Sequence, residues 1–390
     1  MSASPNKRIA AGADRRVRVA GGRARLHRIR PERSRVIDRL EEIITQDLGG
    51  RGLAVDPTDN LVTRCRGNLA RAARHLAGEG TNVAIVTGFF ISHAARPSIE
   101  TDGPCGAIAL AWLLAELGCS LTVVTDPLGA PAIESGLRAT HQGRQQVSLQ
   151  VFPFEDDHLT GNGRISNDHR LSSRSLAFTE SFFRSGGGQS LTHLISIERA
   201  GPSWQGVGSD SVGTDPRRFA ELCPQDHQNQ VHNFRGQIIT AQTAKTHLIF
   251  EFIRQNNLPV RTIGIGDGGN EIGMGSIPWQ VIHANIPNGL GARIACRVAT
   301  DWTIACGVSN WGAYALGSAV AWLRGRPELL VEWSDARERT VLAALVQAGA
   351  VDGVTGQSSM SVDGMPIEQH LAIWGQIREA ARMESGANQP

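Results

Sequence analysis

The chain has 390 residues, of which 41% are hydrophobic and 19% charged. That composition supplies a large apolar core and excludes a disordered polymer, and no window holds the ~18 uninterrupted apolar residues of a membrane-spanning helix. The net charge of +2 hides an asymmetry: residues 1–35 hold Lys7 and ten arginines against Asp14 and Glu32, a formal +9 that leaves −7 on the remaining 355 residues.

The basic head has little apolar period and is expected to be an unstructured tail over residues 1–35. An arm for phosphate backbones and an arginine-rich transit segment are the competing readings. No apolar leader core is visible near the start. The acidic body offers no second basic patch, so neither a nucleic acid nor a membrane is expected as a partner. Length alone suggests two or three domains, though an α/β fold of this size can be a single one, here over residues 36–390. Its cysteines, Cys65, Cys105, Cys119, Cys223, Cys296 and Cys306, form no C-x-x-C pair and are expected as reduced thiols of a cytoplasmic-type compartment.

Val36, Ile37, Leu40, Ile43 and Ile44 recur at helical spacing ahead of Gly49, and a second helix is expected from about Asn60 to Leu76. NVAIVTG, ending at Gly88, reads as a buried strand. GPCGAIALAWLLAELG predicts a helix with Asp102 at its N-cap, Pro104 in its first turn and Gly118 at its end. SLTVVTD is the next strand, which completes a βαβ unit and calls for a parallel sheet. Further strands are expected over 146–152 and 191–198, on either side of a helix near 172–184, and residues 200–233 look irregular. A helix from about Thr240 to Arg254 precedes the strand RTIGIG, and CRVATDWTIACG supplies one more strand or a bent pair. SNWGAYALGSAVAWL reads as a helix capped by Ser309; two more helices cover DARERTVLAALVQAG and a last segment ending near Met383. This alternation predicts an α/β fold, a three-layer sandwich around a mainly parallel sheet, with active-site loops at the C-terminal ends of the strands.

The stretch TIGIGDGGNEIGMG, Thr262 to Gly275, carries the chemistry. Its GIGDGG string matches the dinucleotide pattern G-x-G-x-x-G, yet Asp267 and Glu271 would repel a pyrophosphate, no ribose-binding acid stands near residue 284, and Pro278 and Pro287 break the segment that should be a helix. Acids beside bare backbone suit a hard cation better: Asp267, Asn270 and Glu271 offer carboxylate and amide oxygens for Mg²⁺ or Mn²⁺. A tight turn whose polar side chains cap its own amides is the alternative.

Other polar clusters follow predicted strands or precede helices. Glu100 and Asp102 stand before a helix, where capping competes with ligand binding. Glu198 and Arg199 end a strand, as an ion pair or as a base beside a carboxylate fork. Asn233 and Arg235 follow the irregular run; Ser309 and Asn310 offer amides at a helix start, a natural anion corner; Asp352 and Thr355 close the set. Together they suit a small, anionic, carboxylate-bearing ligand held partly through a divalent ion. No G-x-S-x-G elbow is present, and the spacing of Cys223, His227 and His232 matches no standard zinc pattern.

The motifs TGF at 87–89, ETDGPCGAIAL at 100–110, SIER at 196–199, NFRG at 233–236, IGIGDGGNEIGMG at 263–275, GVSNWGAYAL at 307–316 and DGVTG at 352–356 run in an order that resembles the D-glutamate cyclase family, its C-terminal-type catalytic domain. The resemblance spans about residues 37 to 380. It implies an α/β lyase that cyclises D-glutamate to 5-oxo-D-proline and water with a divalent metal, cytoplasmic, or mitochondrial in a eukaryote, and it leaves a homo-oligomer open. Trp302 stands where the family pattern leads one to expect histidine, and NFRG replaces an N-M-R-G type run. On this reading Asp267, Asn270 and Glu271 are metal ligands, Glu198 is a further ligand or the general base, and Asp267 and Glu271 act in catalysis beside it. Arg199 or Arg235 clamps the substrate's α-carboxylate, while Asn233, Ser309, Asn310, Asp102 and Thr355 contact the substrate. A metal-dependent hydrolase of a small phosphate ester and a non-catalytic metal or amino-acid binder are the rival functions.

Overall fold

Valine and isoleucine runs, apolar on both faces, belong in the middle of a layered sheet. The computed structural model describes residues 31–78, 81–140, 147–155, 173–206 and 216–383. Its strands in chain order are β1 (Asn82–Thr87), β2 (Phe90–Ile91), β3 (Ser98–Ile99), β4 (Ser120–Thr125), β5 (Ser148–Val151), β6 (His193–Ile197), β7 (Arg261–Gly266), β8 (Trp302–Ala305), β9 (Ser361–Val362) and β10 (Met365–Pro366). Six of them form one all-parallel sheet in the order β5-β4-β1-β6-β7-β8, and the remaining four make two small antiparallel ribbons.

Helices cover both faces, so the expected three-layer sandwich is what the chain adopts. On one face Val83, Ile85, Ile195 and Ile263 pack against the helices Pro104–Glu116 and Ser309–Leu323; on the other, Ala84, Val86, Val124 and Leu194 share a core with Phe182, Ile249 and Ile282. Both Pro104–Glu116 and Ser309–Leu323 are apolar nearly all round, as buried helices are. All six cysteines are buried and unbridged. No helix among the described residues is long and apolar enough to cross a membrane.

Several expectations shift in detail. The helix expected over Asn60–Leu76 is two, Leu61–Cys65 and Asn68–Leu76, because Gly67 turns left-handed at φ 77; Asn60 caps the first through Thr63 N. A helix over Ala130–Thr140 was not expected, since Pro131 and Gly136 disguise it. Gly136 packs so closely that a Cβ there would lie 2.4 Å from Ile108. Thr240–Gln242 is a single 3₁₀ turn, and the α-helix begins at His247. The irregular run 200–233 contains the short helix Pro216–Leu222, with 207–215 outside the described residues. Of the basic tail expected over 1–35, residues 1–30 lie outside the described residues and a helix starts at Pro31.

Two capping expectations are overturned. Pro104–Glu116 starts from Gly103 at φ 85 with no side-chain cap, so Asp102 does not cap it. Val308, not Ser309, is the N-cap of Ser309–Leu323.

Candidate active site

In the sheet order the chain leaves β1 toward one edge and β6 toward the other, so the crevice outside their carboxyl ends is a topological switch point, the place where ligands bind in open α/β sheets. Glu198, the first residue past β6, stands there with φ 44, a left-handed backbone that non-glycine residues rarely adopt and that costs on the order of 1–3 kcal/mol. Its amide bonds the Ile265 carbonyl at 3.1 Å and its Oε2 accepts the Ser309 hydroxyl at 2.6 Å. Gly103 crosses so close that a Cβ would lie 2.6 Å from the Glu198 Cβ, which demands glycine at 103.

Around this point carboxylates converge. One oxygen each from Asp102, Glu198 and Asp267 lies within 4.8 Å of the others, all buried. Asp102 reaches away from its own segment and caps the distant helix: Ser309 N donates to its Oδ2 at 2.9 Å and Asn310 N to its Oδ1 at 2.8 Å. The anion corner read at Ser309 and Asn310 is thus filled by the protein's own carboxylate. Asp267 is fully buried and among the described residues neither of its oxygens accepts a hydrogen bond, although Arg51 Nη1 stands 3.3 Å from Oδ1. Arg51 Nη2 also pairs with Asp363 Oδ1 at 2.8 Å.

So many buried acids cannot all ionise together. Burial, then the charges of Glu271 and Glu100, pushes Glu198 well above the carboxylate range. Burial, then Asp363 and Asp102, does the same for Glu100. Burial, against the pull of Arg51, raises Asp267. Asp102 rises to about 8, from burial and then Asp363, against its two amide hydrogen bonds.

The other residues singled out in the sequence divide. Glu271 folds back on its own loop, its Oε1 accepting from Gly268 N at 2.7 Å and Asp267 N at 3.3 Å, and burial raises its pKa. Asn270 donates to the His232 carbonyl at 2.9 Å and lines the cleft. Asn310 Oδ1 takes the Gly106 amide at 2.7 Å and ties the two buried helices together. Arg199 is fully buried and engaged on every side: Gly88 O at 2.5 Å, Asp126 Oδ2 at 2.7 Å, Ala244 O at 2.9 Å and Thr246 Oγ1 at 3.1 Å. Asn233 Oδ1 closes a tight turn by accepting the amides of Arg235 and Gln237, each at 3.0 Å. Arg235 is exposed at the rim, its Nη2 donating to the Val354 carbonyl at 2.9 Å. Thr355 lies exposed on a loop that Asp352 staples through the amides of Val354, Thr355 and Gly364.

A cleft of about 220 Å³ opens beside the carboxylates, with Arg51, Glu100, Glu198, Asn233, Arg235 and Asn270 in its walls. A larger hollow of about 440 Å³ lies at the opposite, amino-terminal ends of β7 and β8, around Arg261 and Asp301, and holds none of these carboxylates. The smaller one adjoins the buried acids, with Glu100 and Glu198 in its walls. Sequence reasoning missed Arg51, Asp126 and Asp363. The local signals were an arginine amid glycines in LGGRG, an acid directly after the strand in SLTVVTD and a turn-forming Asp-Gly in SVDG.

Three convergent buried carboxylates, one with no hydrogen-bond donor, form an oxygen set that could hold a hard divalent cation. The sequence matches the family described as D-glutamate cyclase-like, C-terminal, over residues 40–221 and 219–378. It is also 27% identical over 378 residues to the Homo sapiens protein named D-glutamate cyclase, mitochondrial, which takes in 85% of this chain and 50% of that one. The chain therefore spans about half the length of this curated relative.

Proposed function

Since the chain belongs to the D-glutamate cyclase-like family, we propose that it converts D-glutamate to 5-oxo-D-proline and water. The observation that carries this reading is the convergence of Asp102, Glu198 and Asp267 beside a cleft at the switch point, with Asp267 lacking any hydrogen-bond donor.

Ring closure asks for a neutral amine, an electrophilic γ-carboxyl group and an oxygen that leaves as water. A bound Mg²⁺ or Mn²⁺ would offset the negative charge that makes a carboxylate a poor electrophile. Asp102 and Asp267 would hold it, since Mg²⁺ sites commonly use one or two carboxylates and keep several waters. Glu198 faces the cleft with Oε2 fixed by Ser309, and burial raises its pKa, the direction that favours its holding a proton to pass on. It moves the amine proton toward the departing oxygen. Asn270 and Glu271 shape the loop that presents Asp267. Arg199 is occupied by Asp126 and three neighbouring oxygens, so the α-carboxylate falls to Arg235, whose planar fork stands at the rim with Asn233 fixing its turn. The ring closes intramolecularly, so much of the acceleration comes from holding the folded conformer.

The test is incubation of the protein with D- and L-glutamate, with Mg²⁺, Mn²⁺ or chelator, followed by chromatography for 5-oxoproline. Product from D-glutamate that chelator abolishes supports the proposal. Hydrolysis of phosphate esters in its place, or cation binding with no turnover of either enantiomer, overturns it.

A further inference from the structure

Of the two guanidiniums lining the cleft, Arg235 is exposed at the rim, whereas Arg51 lies inside, its side chain 15% exposed. Arg51 is held there by its loop. Asp47 accepts the amides of Arg51, Gly52 and Leu53 at 2.8, 2.9 and 3.1 Å. Gly52, at φ +89, passes so near the Asn285 carbonyl that a Cβ would lie 2.5 Å from its oxygen. From this fixed base the side chain reaches across the cleft. Asp363 holds Nη2 at 2.8 Å, the Phe234 ring lies 5.2 Å from the guanidinium carbon, and Nη1 stands 3.3 Å from Asp267 Oδ1 without making a hydrogen bond to it. The neighbouring walls present Glu100 and Glu198. An anionic group entering this cleft meets the Arg51 guanidinium in its depth, beside Asp267.

We propose that Arg51 is a catalytic residue whose guanidinium binds the reacting γ-carboxylate of the substrate and takes up the negative charge that grows on it during ring closure. This rests on the cyclase function proposed above. In that step a bond forms between the α-nitrogen and the γ-carbon and one carbon–oxygen bond breaks. The oxygen leaves as water with the two protons that the ammonium group loses, so atoms and charge balance. The tetrahedral carbon in between bears more negative charge on its oxygens than the carboxylate did. A fixed guanidinium favours that state over the ground state, because hydrogen bonds to ionised acceptors are the strong ones and Arg51 is already held in place by Asp363 and Phe234. Arg235 and Arg51 thereby divide the two carboxylates of glutamate between rim and floor.

The test sets steady-state kinetics on D-glutamate beside calorimetric titration with Mn²⁺ and melting curves, for wild type, Arg51→Gln and Arg51→Lys. Arg51→Gln is expected to lose about 10²-fold or more in kcat with a smaller change in KM, and Arg51→Lys, which keeps the charge but not the fork, to lose less. Mn²⁺ is expected to bind Arg51→Gln more tightly by about threefold or more, because a positive neighbour of Asp267 is gone. A mere brace behaves otherwise: a lowered melting temperature and weaker Mn²⁺ binding with kcat kept, a pattern that overturns the assignment. An active wild type with an equally active Arg51→Gln overturns the role of Arg51 alone. A wild type that binds Mn²⁺ and forms no 5-oxoproline overturns the cyclase function and the role of Arg51 in ring closure with it.

Discussion

Asp102 caps a helix that begins 207 residues further along the chain: the Ser309 amide donates to its Oδ2 at 2.9 Å. One carboxylate thus joins the loop before Pro104–Glu116 to the start of Ser309–Leu323 and contributes an oxygen to the acidic cluster. Asp102→Asn keeps one acceptor, sets an NH₂ group against an amide and removes the charge. It is expected to cost about 1–2 kcal/mol of stability, the scale of a lost N-cap, and to weaken Mn²⁺ binding at least tenfold. Denaturant unfolding and calorimetry on the same variant check both halves.

Arg199 makes the opposite kind of prediction. It holds the Gly88 and Ala244 carbonyls, Thr246 and Asp126 together beneath the crevice. Arg199→Met leaves Asp126 buried without its ion pair and is expected to destabilise by about 3–5 kcal/mol. Mn²⁺ affinity, measured below the melting temperature, is expected to stay near wild type; a stable variant with weakened D-glutamate binding would return the α-carboxylate to Arg199.

The carboxylate cluster sets a pH dependence in the metal-free protein. Asp102 has its folded pKa raised to about 8 from an ordinary 3.8, so between those values the folded chain holds a proton that the unfolded chain releases. Stability is therefore expected to fall as pH rises through that window, and a saturating divalent cation is expected to flatten the fall. Melting curves from pH 5 to 8, in chelator and in Mn²⁺, measure it.

At the far end of the sheet the slope has the other sign. His193 is 1% exposed, with His75 Nδ1 2.8 Å from its Nε2, and burial followed by the charge of His75 lowers its pKa from 6.5 to about 4. The unfolded chain takes up this proton first, so the contribution of His193 is intact above pH 6.5 and is lost as pH falls toward 4. The loss amounts to about 3 kcal/mol. Unfolding free energies of wild type and His193→Gln at pH 7 and pH 4.5 isolate it, with the variant expected to lose less.

The strands of the sheet were legible because each is a short apolar run bounded by turn residues, as in Asn82–Thr87 and Arg261–Gly266. Glu198 and Asp267 stand out as acids directly after such strands, yet position alone does not set their use, since Asp126 also follows a strand and pairs with the buried Arg199. Ala130–Thr140 was not, since a proline and a glycine that serve packing look like breaks from the sequence alone. Arg51 and Asp363 were invisible for a different reason. Their meaning lies in a contact 312 residues apart along the chain, at 2.8 Å in space, which no local pattern announces. Arg199 looked like a substrate clamp until its partner Asp126, 73 residues away, came into view.

Formation of 5-oxoproline from D-glutamate by wild type and by Asp267→Asn, with saturating Mn²⁺ and with chelator, tests the central claim most directly. The account predicts product from wild type only with the cation, and at least about 10²-fold less from a folded Asp267→Asn. Equal product from both proteins, or product undiminished by chelator, would contradict it.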